Sequence, residues 1–352
     1  MKRFDVATRS GPTVNSAPSR HGHEPIVVAG RHLDPTPVFD TYWRFAAERQ
    51  SMYDKRVAGL PGPWTRDPIL DQHRFTNCFR AADRVSQYLI REVAYTGSQT
   101  HQELVFRILL FKMFNKIETW QLLRETVGEL SWDNFDRGAF DQVLTAAMDR
   151  GERIYSAAYV VPPPRLGAIR KHTNHLMLLK TMIEQGLPDR LQTCKSMSDA
   201  FDALREFPSM GDFLSFQFLI DINYSTALAF DEMDFVVAGP GARDGIRKCF
   251  GEGSRGIEQQ LIKYMCDRQD QEFERLDLSF GGLFGRRLQL IDCQNLFCEV
   301  DKYSRVAHPE IKGVSGRSRI KQRYKRTAES VPAWFPPKWG INTRSGSVEM
   351  AS

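Results

Sequence analysis

A strongly apolar segment in the middle of the chain limits the fold more than any other feature. Residues 213–220 (FLSFQFLI) carry six apolar side chains in eight positions, and this crowding is typical of a helix buried on all sides. A tight-turn sequence, Pro208-Ser209-Met210-Gly211, precedes the segment. Burial of such a helix needs a sizeable core, which a chain of 352 residues is long enough to build.

Helical periodicity continues on both sides of this segment. Apolar residues recur at helical spacing from Pro37 to about Arg56, and residues 103–116 are apolar nearly all round. No convincing pair of strands is found, and further helices are predicted over residues 77–90, 118–123, 133–150, 167–185, 196–206, 254–274 and 287–304. We therefore predict an all-α fold with a disordered segment 1–34, a helical domain 35–306 and a basic, disordered tail 307–352.

Composition and charge narrow the class of protein. The chain is 41% hydrophobic, as in a globular protein, and its net charge of +5 fits a polyanionic partner such as DNA. We expect no membrane span and no secretion signal, hence an intracellular protein, because long apolar runs are absent from the sequence. The six cysteines form no C-x-x-C pair, which predicts reduced thiols and neither a metal nor another cofactor.

Two glycine-bearing turns and two acids predict a site for DNA. Gly211 precedes the central helix, and a second turn with Gly239 and Gly241 leads towards another helix. Glycine allows the backbone to approach a phosphate, which free N–H groups at a helix start can bind. Asp231 and Asp234 follow about twenty residues after the first turn, the layout of helix-hairpin-helix DNA glycosylases, in which an acid lies over an extruded base. Because ordinary turns between helices show the same spacing, the pattern does not decide by itself.

A group of cations and amides near residue 80 is a candidate phosphate-binding surface. On a helix that begins near Asn77, Arg80, Arg84 and Gln87 recur three and four residues apart and are predicted to share one face. Few acids accompany them, which favours phosphate contact. A solvated surface is the more common outcome for such a face, and both interpretations stay open. Arg243 and Lys248, after the second glycine turn, are predicted to add charge.

Charged residues also interrupt the most apolar helices. Arg107 and Lys112 lie within the apolar segment 103–116, where each cation either extends to solvent or faces an anion. Asp221 ends the central helix. It is a third candidate for catalysis, and pairing with an arginine such as Arg84 is the equal alternative.

Charges near the C-terminus have two interpretations as well. Glu299, Lys302 and Arg305, together with Asp301, form a cluster for which internal salt bridges are favoured and support of an active site is the alternative. The tail from Lys312 to Arg326 holds seven cations and no acid. Such a run is typical of a nonspecific nucleic-acid arm or, in a eukaryote, of a nuclear-import signal.

Four long segments resemble one protein family in the same order. They are FTNCFRAADRVSQYLI (75–90), ELVFRILLFKMFNKIETW (103–120), the block from FPSMGDFLSFQFLIDINYS to GPGARDGI (207–246), and QNLFCEVDKYSR (294–305). These segments resemble the helical domain of the 5-hydroxymethyluracil DNA kinase family. That domain is itself similar to the alpha-glutamyl/putrescinyl thymine pyrophosphorylases, the amino acid:DNA transferases of phages that hypermodify thymidine. The resemblance spans roughly residues 39–305.

The resemblance implies a glycosylase-like helical fold that acts on a modified thymine in DNA. In that family a 5-hydroxymethyluracil is first phosphorylated, and a glycosylase-like protein then displaces the phosphate or pyrophosphate with an amine or amino-acid donor. The kinase step needs a P-loop, G-x-x-x-x-G-K-[ST], which does not occur in this sequence. We therefore expect a transferase that works beside a separate kinase.

The predicted mechanism assigns a proton acceptor and a phosphate site. Asp234, or Asp231 as second choice, takes a proton from the incoming amine, while the turns at Gly211 and Gly239 present N–H groups to phosphate. Two other functions remain open. A DNA glycosylase that removes a modified thymine needs only the acid and a water, and a non-catalytic DNA-binding accessory module needs neither.

Overall fold

The computed structural model describes residues 25–157, 161–324 and 333–343, and in these ranges the chain is helical apart from one β-hairpin, so the all-α prediction is confirmed. The hairpin pairs β1 (Ile26–Val28) with β2 (Arg31–Leu33) in antiparallel register. The thirteen α-helices are α1 (Pro37–Val57), α2 (Pro68–Gln72), α3 (Arg84–Tyr88), α4 (His101–Phe114), α5 (Ile117–Val127), α6 (Arg137–Asp149), α7 (Lys171–Glu184), α8 (Leu187–Thr193), α9 (Met197–Arg205), α10 (Asp212–Asn223), α11 (Pro240–Phe250), α12 (Glu258–Arg275) and α13 (Leu290–Ala307). A π-helical turn, Leu89–Ala94, continues α3.

The two most apolar helices lie at the centre of the core, as their sequences predict. Ten of the twelve residues of α10 and twelve of the fourteen of α4 are buried. Helix α10 packs against both α4 and α9, and α7 and α8 pack on α4. In the part of the chain that the structure describes, no helix is both long and apolar enough to cross a membrane.

The ordered part of the chain extends beyond the predicted domain 35–306 at both ends. On the N-terminal side, Arg31 of the β-hairpin donates to the carbonyls of Gly253 and Arg255, at 3.1 and 2.6 Å. Residues 25–34 of the predicted disordered segment 1–34 therefore have defined structure, and its residues 1–24 lie outside the described ranges. The prediction that strands are absent is wrong for this hairpin, whose three-residue strands are too short to give a periodic signal.

Two segments of the predicted disordered tail also pack on the helices. Ser315 donates from its backbone N–H and its hydroxyl to the Asp244 carboxylate, at 2.6 Å each. The backbone N–H of Tyr324 donates to the Gln72 carbonyl at 3.0 Å. Further along, Phe335 is fully buried. Residues 325–326, which complete the predicted basic run, lie outside the described ranges.

Candidate functional site

A buried group of charges at the end of α10 is the centre of the candidate site. The Asp221 carboxylate, 1% exposed, lies 2.6 Å from Nη1 of Arg80 through Oδ1 and 2.7 Å from Nζ of Lys112 through Oδ2. Gln217, one turn earlier, accepts from Nε of Arg80 at 3.1 Å. We call Asp221, Arg80, Lys112 and Gln217 the Asp221 cluster.

The pKa shifts of the Asp221 cluster follow from burial and from two cations sharing one acid. Burial opposes ionisation of Asp221, yet Arg80 and Lys112 together hold its pKa below the ordinary value. Burial lowers the pKa of Lys112 to about 8, which the attraction of Asp221 offsets only in part. The Asp221 carboxylate is therefore ionised, with its charge compensated by the two cations. A carboxylate stabilised in this way is a poor proton acceptor at neutral pH.

The arginine-bearing helix predicted over residues 77–90 is interrupted. Arg80 lies in a 3₁₀ turn, and Asp83 then adopts an extended conformation before α3 begins at Arg84. As a result Arg80 is buried in the Asp221 cluster, whereas Arg84 is half-exposed and lies 3.6 Å from Glu118. The prediction that the two arginines share one helical face is wrong, because the helix does not pass through Asp83.

Gln87, predicted on the same face, and Asn77, predicted at the start of the helix, are also directed into the protein. Gln87 is buried, donates to the Ala81 carbonyl at 2.7 Å, and accepts from the Trp334 backbone N–H at 2.8 Å. Asn77 accepts from Nη2 of Arg49 at 2.6 Å. Both side chains hold loops in place in this structure.

Two further predicted phosphate-binding cations have internal partners. Arg107 is buried, and its guanidinium donates to the carbonyls of Val93 and Ser98 at 3.1 and 2.7 Å. Lys248, 1% exposed, lies 3.0 Å from the Asp301 carboxylate and donates to the carbonyl of the same residue. In this structure neither cation extends to a surface that a phosphate can reach.

The second glycine turn is the beginning of a helix rather than a loop. Gly239 caps α11, and the helix starts directly at Pro240, so that Gly241 lies inside the helix and not in a turn before it. A Cβ added at Gly245 would lie 2.0 Å from the carbonyl oxygen of Phe297 on α13, and one at Gly241 would lie 3.0 Å from Sγ of Cys298 on the same helix. These two glycines therefore allow α11 and α13 to pack closely, which gives them a structural reason apart from phosphate binding.

The first glycine turn and Arg243 are open to solvent. Gly211 caps α10, and a Cβ added there would meet no atom within 4 Å. Arg243 is exposed and helps to line a cavity of about 280 Å³ that also contains Arg205 and Asp212. The α9–α10 hairpin therefore presents an accessible helix N-terminus, although Asp212 forms a 2.8 Å ion pair with Arg205 there.

The charges predicted as active-site support pair with one another on α13. The Glu299 carboxylate receives Nζ of Lys302 at 2.7 Å and the backbone N–H of Thr76 at 2.9 Å. Arg305 binds Asp301 at 2.5 Å. These contacts tie the loop before the Arg80 turn to α13.

The two acids favoured for catalysis point outwards, and a third acid between them points inwards. Asp231 and Asp234 are exposed, and Asp231 accepts from the Met233 backbone N–H at 2.9 Å. Glu232 is only 5% exposed and lies 3.0 Å from Nη2 of Arg286. Burial raises the pKa of Glu232 to about 7, against the opposing effect of Arg286. Sequence reasoning missed Glu232, because its partner lies 54 residues further along the chain.

A second buried acid joins the Glu232–Arg286 pair to the Asp221 cluster. Asp292 accepts from the Arg80 backbone N–H at 2.9 Å, and both Arg80 and Arg286 stabilise its ionised form. Burial nevertheless raises the pKa of Asp292 to about 6. The Arg80 guanidinium also lies 5.6 Å from the ring centre of Tyr224. Carboxylates, cations and an aromatic ring thus form one continuous polar region inside the helical core.

The C-terminal segment 333–343 covers this region. The Trp339 indole lies face-on to Arg286, with 4.0 Å between the guanidinium carbon and the ring centre. The Lys338 ammonium donates to three main-chain carbonyls at and after the end of α10, those of Asn223, Ser225 and Leu228. Segment 333–343 is therefore bound through both an aromatic contact and a cation.

Comparison with known proteins places this arrangement in a family. The family model described as "5-hmdU DNA kinase, helical domain" matches residues 36–313, most of the chain. This chain belongs to that family. The predicted resemblance to the helical domain of the 5-hydroxymethyluracil DNA kinase family is thereby confirmed.

A curated relative of this helical-domain protein is the 5-hmdU DNA kinase of Bacillus phage SP10. The two are 24% identical over 287 residues, which cover 76% of this chain and 45% of the relative. The chain thus spans less than half the length of this curated relative. No solved structure matches it. The Asp221 cluster and the Glu232–Arg286 pair lie inside the range shared with the family, whereas Lys338 and Trp339 lie outside it.

Proposed function

We propose that this chain acts on a 5-hydroxymethyluracil derivative in DNA and displaces an activated 5-methylene phosphate with an amine. The observation that carries the proposal is the family match over residues 36–313, which contains the whole buried polar region. The relative from Bacillus phage SP10 is a 5-hmdU DNA kinase, and the matching family is the helical domain of such kinases. The net charge of +5 agrees with a nucleic-acid partner.

The α9–α10 hairpin is the proposed DNA-backbone contact. Its turn ends at Gly211, the cap of α10, where an added Cβ would meet no atom within 4 Å. A phosphate at this point gains both hydrogen bonds and the favourable end of the helix dipole. Arg243 is exposed and adds a cation. This proposal makes the hairpin a helix-hairpin-helix motif that holds the strand while one nucleotide leaves the stack.

The proposed chemistry is a displacement at the methylene carbon. The amine nitrogen forms a bond to that carbon, the carbon–oxygen bond to the phosphate breaks with its electron pair leaving on oxygen, and the amine loses a proton. Asp234 accepts this proton, with Asp231 as the second choice, since both carboxylates are exposed where a dissolved amine can arrive. Arg243 is proposed to stabilise the departing phosphate.

Mass spectrometry of nucleosides tests this proposal. Duplex DNA with phosphorylated 5-hydroxymethyluracil is incubated with the protein and a pool of amines, then digested. An amine-adducted base with released phosphate supports the transferase. A free base with an abasic site means a glycosylase instead. The Asp234→Asn variant is expected to lose the adduct while DNA binding persists, and Asp231→Asn shows which acid accepts the proton.

A matched pair of substitutions tests the DNA contact separately from stability. Gly211→Asp places a negative charge at the α10 N-terminus, which favours the helix but repels a phosphate. Gly211→Asn has the same shape without the charge. We expect the aspartate variant to melt no lower than the wild type, yet to bind DNA at least about tenfold more weakly than the asparagine variant. Equal DNA affinity for both variants places the DNA backbone elsewhere.

A non-catalytic DNA-binding module is the second candidate. The observation in its favour is that the match covers only 45% of the phage kinase, so the part of the kinase that this chain does not match can hold the catalytic activity. This candidate predicts DNA affinity that survives Asp234→Asn and no altered nucleoside from the wild-type protein.

A further inference from the structure

The indole of Trp339 occupies a place with the properties of a nucleobase pocket. One face lies on the Arg286 guanidinium at 4.0 Å, and the edge of Tyr224 meets the ring at 5.5 Å between centroids. The Trp339 side chain favours the ionised form of Glu232, which places the indole beside this carboxylate. A planar aromatic ring with one N–H donor is thus stacked on a cation and lies beside a carboxylate. Stacking and polar contacts at the edge of the ring are also the means by which proteins hold an extruded base.

The residues around the indole are fixed independently of it. Glu232 and Arg286 bind each other at 3.0 Å. Tyr224 is 1% exposed and packs over Arg80, whose guanidinium is held by Asp221. The walls therefore belong to the helical core, and a different planar ring that replaced the indole would find the same contacts.

Segment 333–343 has the features of a separate, removable unit. Phe335 and Asn342 exchange two hydrogen bonds of 2.8 Å, which close the segment into a loop, and Phe335 stacks on Trp339 at 6.2 Å. The segment lies after the end of the family match at residue 313. Besides its ring contacts, the segment is attached by Lys338, which donates to main-chain carbonyls at 3.1 Å (Ser225) and 2.8 Å (Leu228) among others, and by the Trp334 backbone N–H, which donates to Gln87 at 2.8 Å.

We propose that the space filled by the Trp339 indole is the binding site for an everted pyrimidine base, and that residues 333–343 are its exchangeable cover. Glu232 accepts the N3–H of the base, in the place of the indole N–H, and Arg286 stacks on its face. This inference rests on the proposed function, since it names the pocket in which the modified base is held.

The chemistry of Glu232 sets the class of base. Thymine and 5-hydroxymethyluracil carry an N3–H donor, which a carboxylate binds. Cytosine presents an unprotonated N3 acceptor, which a carboxylate repels. A site built to bind a polar group strongly rejects a ligand that lacks this group, because the buried partner in the site is then left unpaired. The pocket is therefore selective for the uracil class over cytosine.

Equilibrium binding of short single-stranded DNA tests the proposal without any chemistry. The strands differ only at a central position, which is 5-hydroxymethyluracil, thymine, cytosine or an abasic site, and fluorescence anisotropy reports their affinity. Removal of the indole by Trp339→Ala raises the fraction of open pocket, so the uracil-class strands should bind about tenfold more tightly. The abasic strand should bind as it does to the wild type. Lys338→Met releases the cover by another route and should act in the same direction.

The recognition residue is tested in the open background. Glu232→Gln combined with Trp339→Ala should lose most of the preference for thymine over cytosine, because an amide can donate as well as accept. Trp64→Ala removes another partly exposed tryptophan, distant in sequence, and is the matched control, with no expected change for any strand. Thermal melts of each variant identify any loss of folding.

Two results overturn the proposal. One is an equal affinity gain of Trp339→Ala for all four strands, which means that the cover blocks the DNA backbone and not a base. The other is unchanged binding in both Trp339→Ala and Lys338→Met. These outcomes are distinct from failure of the proposed function. Base-selective binding without an altered nucleoside refutes the transferase alone, whereas an altered nucleoside with base-independent binding refutes the pocket alone.

Discussion

Replacement of Asp221 by asparagine is expected to destabilise the protein more than any other single change in the polar region. The substitution keeps the shape of the side chain but removes the charge that directly contacts both Arg80 and Lys112, at 2.6 and 2.7 Å. Breaking a buried ion pair from one side costs about 3–5 kcal/mol. Because two buried cations lose their partner here, the upper part of that range is expected. Whole domains are stable by only about 5–15 kcal/mol.

Replacement of Lys112 by methionine is the informative contrast. The fall of the Lys112 pKa from 10.5 to about 8 means that its charge is disfavoured in the folded state by about 3 kcal/mol. Lys112→Met removes this unfavourable charge and leaves Asp221 paired with Arg80. We therefore expect the free energy of unfolding to fall by no more than about 1 kcal/mol. In the Asp221→Asn background the same substitution should restore part of the lost stability, since one uncompensated cation disappears.

Urea unfolding followed by circular dichroism gives the four free energies of this double-mutant cycle. A loss below about 1 kcal/mol for Asp221→Asn, or a double variant less stable than Asp221→Asn alone, refutes the electrostatic reasoning. A pH series adds an independent check. Between about 8 and 10.5 the unfolded chain holds a proton that folded Lys112 has released, so the free energy of unfolding rises with pH in the wild type. Lys112→Met should show a smaller rise, because burial also lowers the pKa of Lys338 to about 8 and this second lysine remains.

Two other predictions concern packing and a second titrating group. Gly245→Ala places a methyl group 2.0 Å from the Phe297 carbonyl oxygen and should lower the free energy of unfolding by more than about 3 kcal/mol. Gly211→Ala places its methyl group in open space and should change this free energy by less than about 0.5 kcal/mol. Urea unfolding measures both. The pKa of Glu232 is raised from 4.5 to about 7, so its protonated form contributes to the free energy of unfolding fully below pH 4.5, and this contribution is lost as pH rises through 7. Between these pH values the melting temperature of Glu232→Gln should therefore fall less than that of the wild type.

The apolar helices could be predicted from the sequence because each is encoded locally. The predicted helix from Pro37 to about Arg56 ends at Val57 in the structure, and the crowded apolar segments became the buried α4 and α10. The sequence Gly239-Pro240-Gly241 is typical of a turn and predicts one there, whereas α11 already begins at Pro240. Its glycines are required by α13, whose Phe297 lies far along the chain from Gly245. Contacts of that kind leave no mark in local spacing.

Partners of buried charges were the least predictable part of the site. Pairing of Asp221 with an arginine was one of two interpretations, but the residue named was Arg84, and the actual partner is Arg80, 141 positions away. The sequence predicts a helix that passes through Asp83, whereas the backbone of Asp83 is extended in the structure. This conformation depends on where Arg80 is held, which local spacing does not show. The tail had been assigned to disorder on its composition, although Trp334 and Phe335 pack into the core.

The position of residues 333–343 has a practical consequence for anyone who prepares this protein. A version shortened after the last residue of the family match, or after Tyr324, loses Phe335 and Ile341, which are 0% and 4% exposed. It also uncovers aromatic rings of the core, such as Tyr95, which meets Trp334 at 5.0 Å. Freshly uncovered rings of this type promote aggregation. Affinity tags are therefore better attached before residue 25 than used to replace the last residues of the chain.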